Sequence, residues 1–134
     1  MPKAGDSYRV TLRENHLDWG TYRYTASRSP REGEAYLPIP KEYARRFNIY
    51  NTNYTGGEDV LGENIFYCTS NDGFLNVVMR AQGSSRAGEI YAKQFSVRGD
   101  LQAISEWYRY VGAQPGDEIE VYWQSPTDMI ISLI

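Results

Sequence analysis

Two segments that each join a strand pattern to a helix pattern constrain the fold of this chain more than any other feature. The first, 34–47, reads EAYLPIPKEYARRF: a short apolar strand, a stop at Pro38 and Pro40, then a basic and aromatic helix. The second, 100–123, is an amphipathic helix, a Gln-Pro-Gly-Asp turn and an alternating strand. Proline removes a ladder donor, which places the strand end at a sheet edge or corner. It also suits the first turn of a helix, where that donor is not needed.

The remaining hydrophobic patterns are short, alternating and bounded by turn residues, as is typical of strands. Seven strands are predicted, at 8–13, 34–39, 64–70, 74–81, 89–97, 118–123 and 129–134. Two helices are predicted, one from Pro40 to Phe47 and one from an N-cap at Asp100 to a stop at Gly112. This order favours a barrel or a sandwich over a layered α/β sheet. We expect a mainly β (α+β) fold with two short helices at its ends.

Length and composition indicate one domain over residues 1–134. No apolar run is long enough to cross a membrane, and none lies near the N-terminus. Cys68 is the only cysteine, which rules out an internal disulfide and a multi-cysteine zinc site, and its apolar neighbours predict a buried, inert thiol. A reducing, cytoplasmic compartment fits best. Because the chain stops inside a strand pattern, it can also be the C-terminal domain of a longer polypeptide.

The charge is distributed unevenly along the chain. The net charge is −3, but residues 1–46 carry nine Lys and Arg against six Asp and Glu, a net of +3. Residues 47–134 carry five against eleven, a net of −6. The acidic total argues against a non-specific nucleic-acid coat, while the asymmetry is compatible with a basic docking face.

No set of residues in the sequence indicates an enzyme. His16 is the only histidine and lies in an irregular segment, where a solvated histidine is expected. Glu89 and Lys93 stand too far apart along one strand for an acidic metal-dependent nuclease step. No glycine-rich phosphate loop with a Lys-Ser/Thr pair is present. We expect no catalytic constellation, no metal site and no cofactor.

Two polar loops contain the residue types that read nucleic acid. Arginine forks match guanine edges or phosphate, and Asn, Gln and Ser suit base edges. The first loop, after the first strand, offers Asn15, His16, Trp19, Arg23, Ser27, Arg28, Ser29 and Arg31. The second loop, after the fourth strand, offers Gln82, Ser84, Ser85 and Arg86, with Arg80 and Lys93 beside it. On composition alone, two ordinary solvated loops are the favoured interpretation, because polar loops with arginine are common.

The two opening segments resemble plant B3 DNA-binding domains. The strand ending in Ile39-Pro40-Lys41, followed by a helix that begins with Glu42 and Tyr43, looks like the step that opens those domains, where an acidic-aromatic helix follows the strand. The helix bearing Trp107, the Gly116-Asp117 turn and the strand that follows resemble the family's later step. The resemblance covers residues 8–134 and implies a seven-stranded open pseudobarrel.

The same resemblance implies a function. Bacterial relatives of this fold are target-recognition domains of restriction endonucleases, and two loops in the family grip the major groove of double-stranded DNA. By position, these loops are the stretches from Arg23 to Arg31 and from Gln82 to Arg86. A linked or associated nuclease domain would then be a partner, and a membrane would not.

Two other functions remain open. The tyrosines and Trp19 are compatible with a reader of modified or methylated DNA that flips a base into an aromatic pocket. The acidic pI is compatible with a protein-interaction barrel that has no nucleic-acid role.

Overall fold

The computed structural model describes residues 1–17, 35–52, 54–83 and 90–134, apart from the Asn15 side chain. In these ranges seven strands form one sheet: β1 (Ser7–Thr11), β2 (Leu37–Pro38), β3 (Ile65–Ser70), β4 (Asn76–Gln82), β5 (Gln94–Val97), β6 (Glu118–Ser125) and β7 (Asp128–Leu133). The same ranges contain the helices α1 (Glu14–Leu17), α2 (Lys41–Phe47) and α3 (Ala103–Val111). The mainly β fold and the two predicted helices are confirmed. The single turn α1 was not predicted.

The sheet curls into an open pseudobarrel. Its strand order is β1-β6-β7-β3-β4-β5-β2, and every neighbouring pair is antiparallel except β3 and β7. The edge strands β1 and β2 share no ladder, but the Tyr8 hydroxyl on β1 donates to the Pro38 carbonyl on β2 at 3.0 Å. Pro38 has no amide hydrogen to donate, which suits its position on an edge strand.

Aromatic side chains fill the barrel interior. Trp123 of β6, Phe66 of β3 and Phe95 of β5 are all fully buried. The Trp123 ring lies 5.8 Å from the Phe66 ring and 6.4 Å from the Phe95 ring, in tilted or edge-to-face geometry. Rings at these distances pack as favourable aromatic pairs. The cluster therefore links β3, β5 and β6, which are not neighbours in the strand order.

The two longer helices close opposite ends of the barrel. Phe47 of α2 packs edge-on against Trp123 at 5.8 Å, beside the β6–β7 hairpin. Trp107 of α3 donates from Nε1 to Asp72 Oδ2 at 2.9 Å, in the β3–β4 turn. These hairpins lie at opposite ends of the β3–β7 ladder because β3 and β7 run parallel. The predicted capping role of both helices is confirmed.

The helix end and the turn of the second opening segment, 100–123, are as the sequence predicts. Gly112 ends α3 in the left-handed region at φ 69°. Gly116 takes φ 97° and donates its amide to the Leu12 carbonyl at 2.9 Å. Asp117 Oδ2 accepts from the Gln114 amide at 2.9 Å, which fixes the turn into β6.

Several element boundaries differ from the prediction: β2 spans only Leu37–Pro38, β4 begins at Asn76 rather than at Phe74, and the starts of the fifth strand and of α3 also differ. The fifth strand begins at Gln94 rather than at Glu89, because the chain at 90–92 leaves β4 and pairs with 49–51 instead. Asp100 does not cap α3 directly: its Oδ1 accepts from the Gln102 amide at 3.0 Å in a turn that precedes the helix. Leu101 is therefore exposed instead of lying on the apolar helix face.

Cys68 is buried, as its neighbours predicted. It lies on β3 with 1% of its surface exposed, and burial raises the pKa of its thiol to about 12. The thiol is therefore protonated and unreactive at physiological pH.

In the described ranges, no helix has both the length and the apolar content to cross a membrane.

Candidate functional site

The base of the first polar loop, here called the first stem, is formed by His16 and Tyr36. The Tyr36 amide donates to the His16 carbonyl at 3.4 Å, and the two rings meet edge to face at 5.4 Å. The Tyr108 hydroxyl on α3 donates to the Tyr36 carbonyl at 3.0 Å. The chain is thus held where it leaves β1 and where it enters β2.

His16 serves the first stem as a neutral ring. Its Nδ1 accepts from the Arg13 amide at 3.0 Å, which leaves the ring proton on Nε2. Burial and the Arg13 guanidinium lower the pKa of His16. A neutral imidazole at this place stabilises the α1 turn.

The base of the second polar loop, here called the second stem, is formed by Gln82, Gly83 and Lys93. The Lys93 amide donates to the Gln82 carbonyl at 2.7 Å, and the Ser96 hydroxyl donates to Gln82 Oε1 at 3.1 Å. A Cβ on Gly83 would come within 3.2 Å of the Tyr91 carbonyl oxygen. A residue without a side chain is therefore suited to this close approach.

The two stems lie at opposite ends of one short ribbon. Strands β2 and β5 are antiparallel, with Leu37 opposite Phe95 and Pro38 opposite Gln94. The Ile39 amide continues the ladder to the Lys93 carbonyl at 2.8 Å. The first stem at Tyr36 and the second beside Ile39 are thus three residues apart along β2, or about 10 Å at a strand rise of ~3.3 Å per residue.

Most of the predicted site residues fall outside the described residues. His16, Gln82, Arg80 and Lys93 are placed on or beside the two stems, and Asn15 lies in α1. The residues outside the described ranges are Trp19, Arg23, Ser27, Arg28, Ser29, Arg31, Ser84, Ser85 and Arg86. Their roles stay predictions.

Arg80 is held by a carboxylate. Its Nη2 lies 2.8 Å and its Nε 3.2 Å from the two oxygens of Asp59, and Arg98 Nη1 lies 3.3 Å from the same group. Hydrogen bonds from Arg80 lower the pKa of Asp59, with a further contribution from Arg98. Two of the cations near the second stem are therefore partly neutralised by one Asp.

Among the described residues, two other cations near the stems have no carboxylate at ion-pair distance: Arg13 at the first stem and Lys93 at the second. Both side chains are exposed.

An open cleft of about 360 Å³ follows the gap between β1 and β2, next to the first stem. Two arginines, the neutral His16 ring and a proline-rich wall line it: Arg9, Arg13, His16 and the segment 38–40. Arg9 also pairs with Glu120 at 3.3 Å on the outer sheet surface. Arg13 did not stand out in the sequence, because it ends an ordinary alternating strand.

The sequence pattern also missed an aromatic cluster beside the second stem. Tyr50, Tyr54 and Tyr91 stack on one another, with ring separations of 4.1 Å and 5.9 Å. The four-residue spacing of Tyr50 and Tyr54 was its only signal, and it lay in a segment that read as a polar connector. No group of three metal-ligating side chains occurs among the residues that the structure describes.

Comparison with protein-family profiles returns no match, and no curated protein matches the sequence. Among solved structures, the chain is similar to the N-terminal domain of Helicobacter pylori LlaJI.R1, with a TM-score of 0.53 and 8% identity over 96% of this chain and 87% of that one. It is also similar to the protein of an Arabidopsis FUS3-DNA complex, with a TM-score of 0.48 and 15% identity over 94% of this chain and 93% of that one. At such low identity the likeness to the Helicobacter pylori domain is one of fold alone, and the chain has the open pseudobarrel fold that the resemblance of its two opening segments implied.

Proposed function

We propose that this domain binds double-stranded DNA with sequence preference, with its two polar loops placed in the major groove. The proposal rests on the resemblance of segments 34–47 and 100–123 to B3 domains and on the pseudobarrel that they form. The observation that carries it is the placement of both loop stems on the single β2–β5 ribbon.

The stem separation supports this assignment. The stems are about 10 Å apart, and the major groove of B-DNA is about 12 Å wide. Two loops that leave the ribbon from opposite ends can therefore follow the two walls of one groove.

Charge at the stems supports it as well. Arg13 and Lys93 are exposed next to the loops, and both can contact phosphates. Phosphate contacts position a protein on the duplex, whereas base-edge contacts specify the sequence. In this proposal, Arg23 to Arg31 contact phosphates and a guanine edge, and Gln82, Ser84, Ser85 and Arg86 read base edges.

The wider assignment follows from the same resemblance. The chain would be a single target-recognition domain of a restriction endonuclease, in the bacterial cytoplasm, without a cofactor. Cleavage would belong to a nuclease domain linked to it or associated with it.

Arg86→Ala is the direct test of the second loop. We expect affinity for the selected duplex to fall by about 1–3 kcal/mol, with relaxed preference at one base pair. Titration by fluorescence anisotropy, repeated on every single-base variant of the duplex, measures both effects.

Two control variants accompany this test. Arg109→Ala removes an exposed arginine of α3 and should leave binding unchanged. Lys41→Ala should change mainly the dependence of affinity on salt. Unchanged affinity and preference in Arg86→Ala would exclude Arg86 from base reading.

A further inference from the structure

The stack of Tyr50, Tyr54 and Tyr91, here called the tyrosine stack, is a continuous column of rings. Tyr50 lies between the other two, 4.1 Å from Tyr54 and 5.9 Å from Tyr91, and both pairs are within 19° of parallel. The Arg45 guanidinium lies over the Tyr91 ring at 6.0 Å. Tyr54 ends the column and is 53% exposed.

The backbone holds Tyr54 in place before any ligand arrives. The Tyr54 amide donates to the Asn51 carbonyl at 2.9 Å. The Thr55 hydroxyl lies 3.0 Å from the Thr52 carbonyl oxygen and 2.8 Å from the Glu58 carbonyl oxygen, so its one hydrogen can be donated to either. A ring fixed in this way loses little freedom when a flat ligand stacks on it.

The tyrosine stack lies beside the second stem. Tyr50 and Tyr91 face each other in an antiparallel bridge, and the Asn51 amide donates to the Ile90 carbonyl at 2.8 Å. The column therefore stands directly beside the point where the loop 84–89 returns to the sheet.

The geometry selects a flat, neutral ligand. Nearly parallel rings offer one outer face for stacking, whereas a site for a methylated cation surrounds its ligand with several ring faces. Glu58 lies in the same turn as Tyr54. The pKa of the Tyr50 hydroxyl is raised mainly by burial, then by Tyr54 and Tyr91, and least by Glu63, which lies nearby. These carboxylates disfavour a phosphate but do not oppose an uncharged aromatic ring.

We propose that the outer face of Tyr54 binds a nucleobase that has left the base stack of the DNA held by the second loop. The inference rests on the proposed DNA binding and adds a base-stacking site to it. Single-stranded ends, mismatches and flipped bases all present such a ring, and stacking accepts any base because each has a π-face.

The test compares two short single strands with the same number of phosphates, one of oligothymidine and one of abasic residues. We expect the wild-type protein to bind the strand with bases about tenfold more tightly, as one stacked base provides about 1.4 kcal/mol. Tyr54→Ala should abolish this difference, and Tyr54→Trp should retain it.

Tyr110→Ala is the matched control, because Tyr110 is 61% exposed and also stacks on a neighbouring ring, Phe74 at 4.4 Å. It should leave the tenfold difference unchanged. Equal binding of the two strands by the wild-type protein would overturn the inference, as would an unchanged difference in Tyr54→Ala.

A duplex titration of the same proteins separates the two proposals. Duplex binding without discrimination between the two strands contradicts the base-stacking site alone. If the protein distinguishes the oligothymidine strand from the abasic strand but does not bind duplex, the proposed function is contradicted and the base-stacking site is still supported. A duplex with one mismatch should bind the wild-type protein more tightly than a perfect duplex, and Tyr54→Ala should remove that gain.

Discussion

At the scale of single residues, tyrosine hydroxyls join parts of the barrel that share no ladder. The Tyr8 hydroxyl bridges the two edge strands at Pro38, and the Tyr108 hydroxyl fixes the chain at Tyr36, where it enters β2. Both tyrosines are buried. Burial raises the pKa of each hydroxyl well above its usual range, so both remain protonated donors.

Tyr8→Phe should destabilise the domain by about 1–3 kcal/mol, because the buried Pro38 carbonyl loses its partner while the ring is kept. Urea unfolding followed by tryptophan fluorescence measures the change. Tyr122→Phe removes an exposed hydroxyl on β6 and should stay within about 0.5 kcal/mol of the wild type. Equal effects of the two variants would show that the bridge contributes nothing.

His16 should make stability depend on pH. Its pKa is lowered in the folded state, so the unfolded chain takes up a proton near its ordinary pKa of about 6.5 while the folded chain does not. Stability is therefore full above that pH and falls as the pH drops towards the lower folded pKa. His16→Asn keeps an acceptor for the Arg13 amide without this titration.

Urea midpoints at pH 7.5 and 5.5 measure this dependence. The wild type should lose more stability than His16→Asn between them. A parallel decline of both proteins would exclude His16 as its source.

At the scale of elements, alternation and turn chemistry predicted what local sequence controls. The strand patterns around Phe66 and Trp123 and the turns at Gly112 and Gly116 needed no long-range information. The start of the fifth strand was wrong because the segment at 49–51, distant in sequence, competes with β4 for residues 90–92. A local pattern of alternating residues contains no information about a pairing partner that is distant in sequence.

The candidate site was less predictable than the fold. Polar composition located both loops, and the stems at Tyr36 and Gln82 agree with those positions. Arg13 and the tyrosine stack went unnoticed because their significance depends on contacts across the fold. Asp59 likewise gave no sign in the sequence that it holds Arg80 and Arg98.

Asp59→Asn tests whether Arg80 can contact DNA. Loss of the carboxylate should release Arg80 and Arg98, raise affinity for non-specific duplex severalfold at low salt, and steepen the slope of log affinity against log salt by about one to two. The stability cost should be below about 1 kcal/mol, because these partners are partly exposed.

Glu106→Gln is the matched control for that variant. It makes the same change in net charge at an exposed residue of α3 that has no arginine partner among the described residues. If both variants raise affinity equally, net charge alone is responsible and Arg80 has no place in the interface.

At the scale of the whole molecule, the uneven distribution of charge fits the selective DNA binding that we propose. The acidic balance of residues 47–134 opposes general attachment to phosphates, while cations remain at the two stems. A domain of this kind should depend on its loops for affinity as well as for sequence preference. Its affinity for random duplex should therefore be weak at physiological salt.

A binding selection on randomised duplex, with plain and methylated pools side by side, tests the central claim most directly. We expect one short sequence to be enriched from the plain pool, with affinity that falls linearly in log salt. Enrichment from the methylated pool alone would favour a reader of modified bases instead. Failure to retain any duplex at low salt would contradict DNA binding altogether.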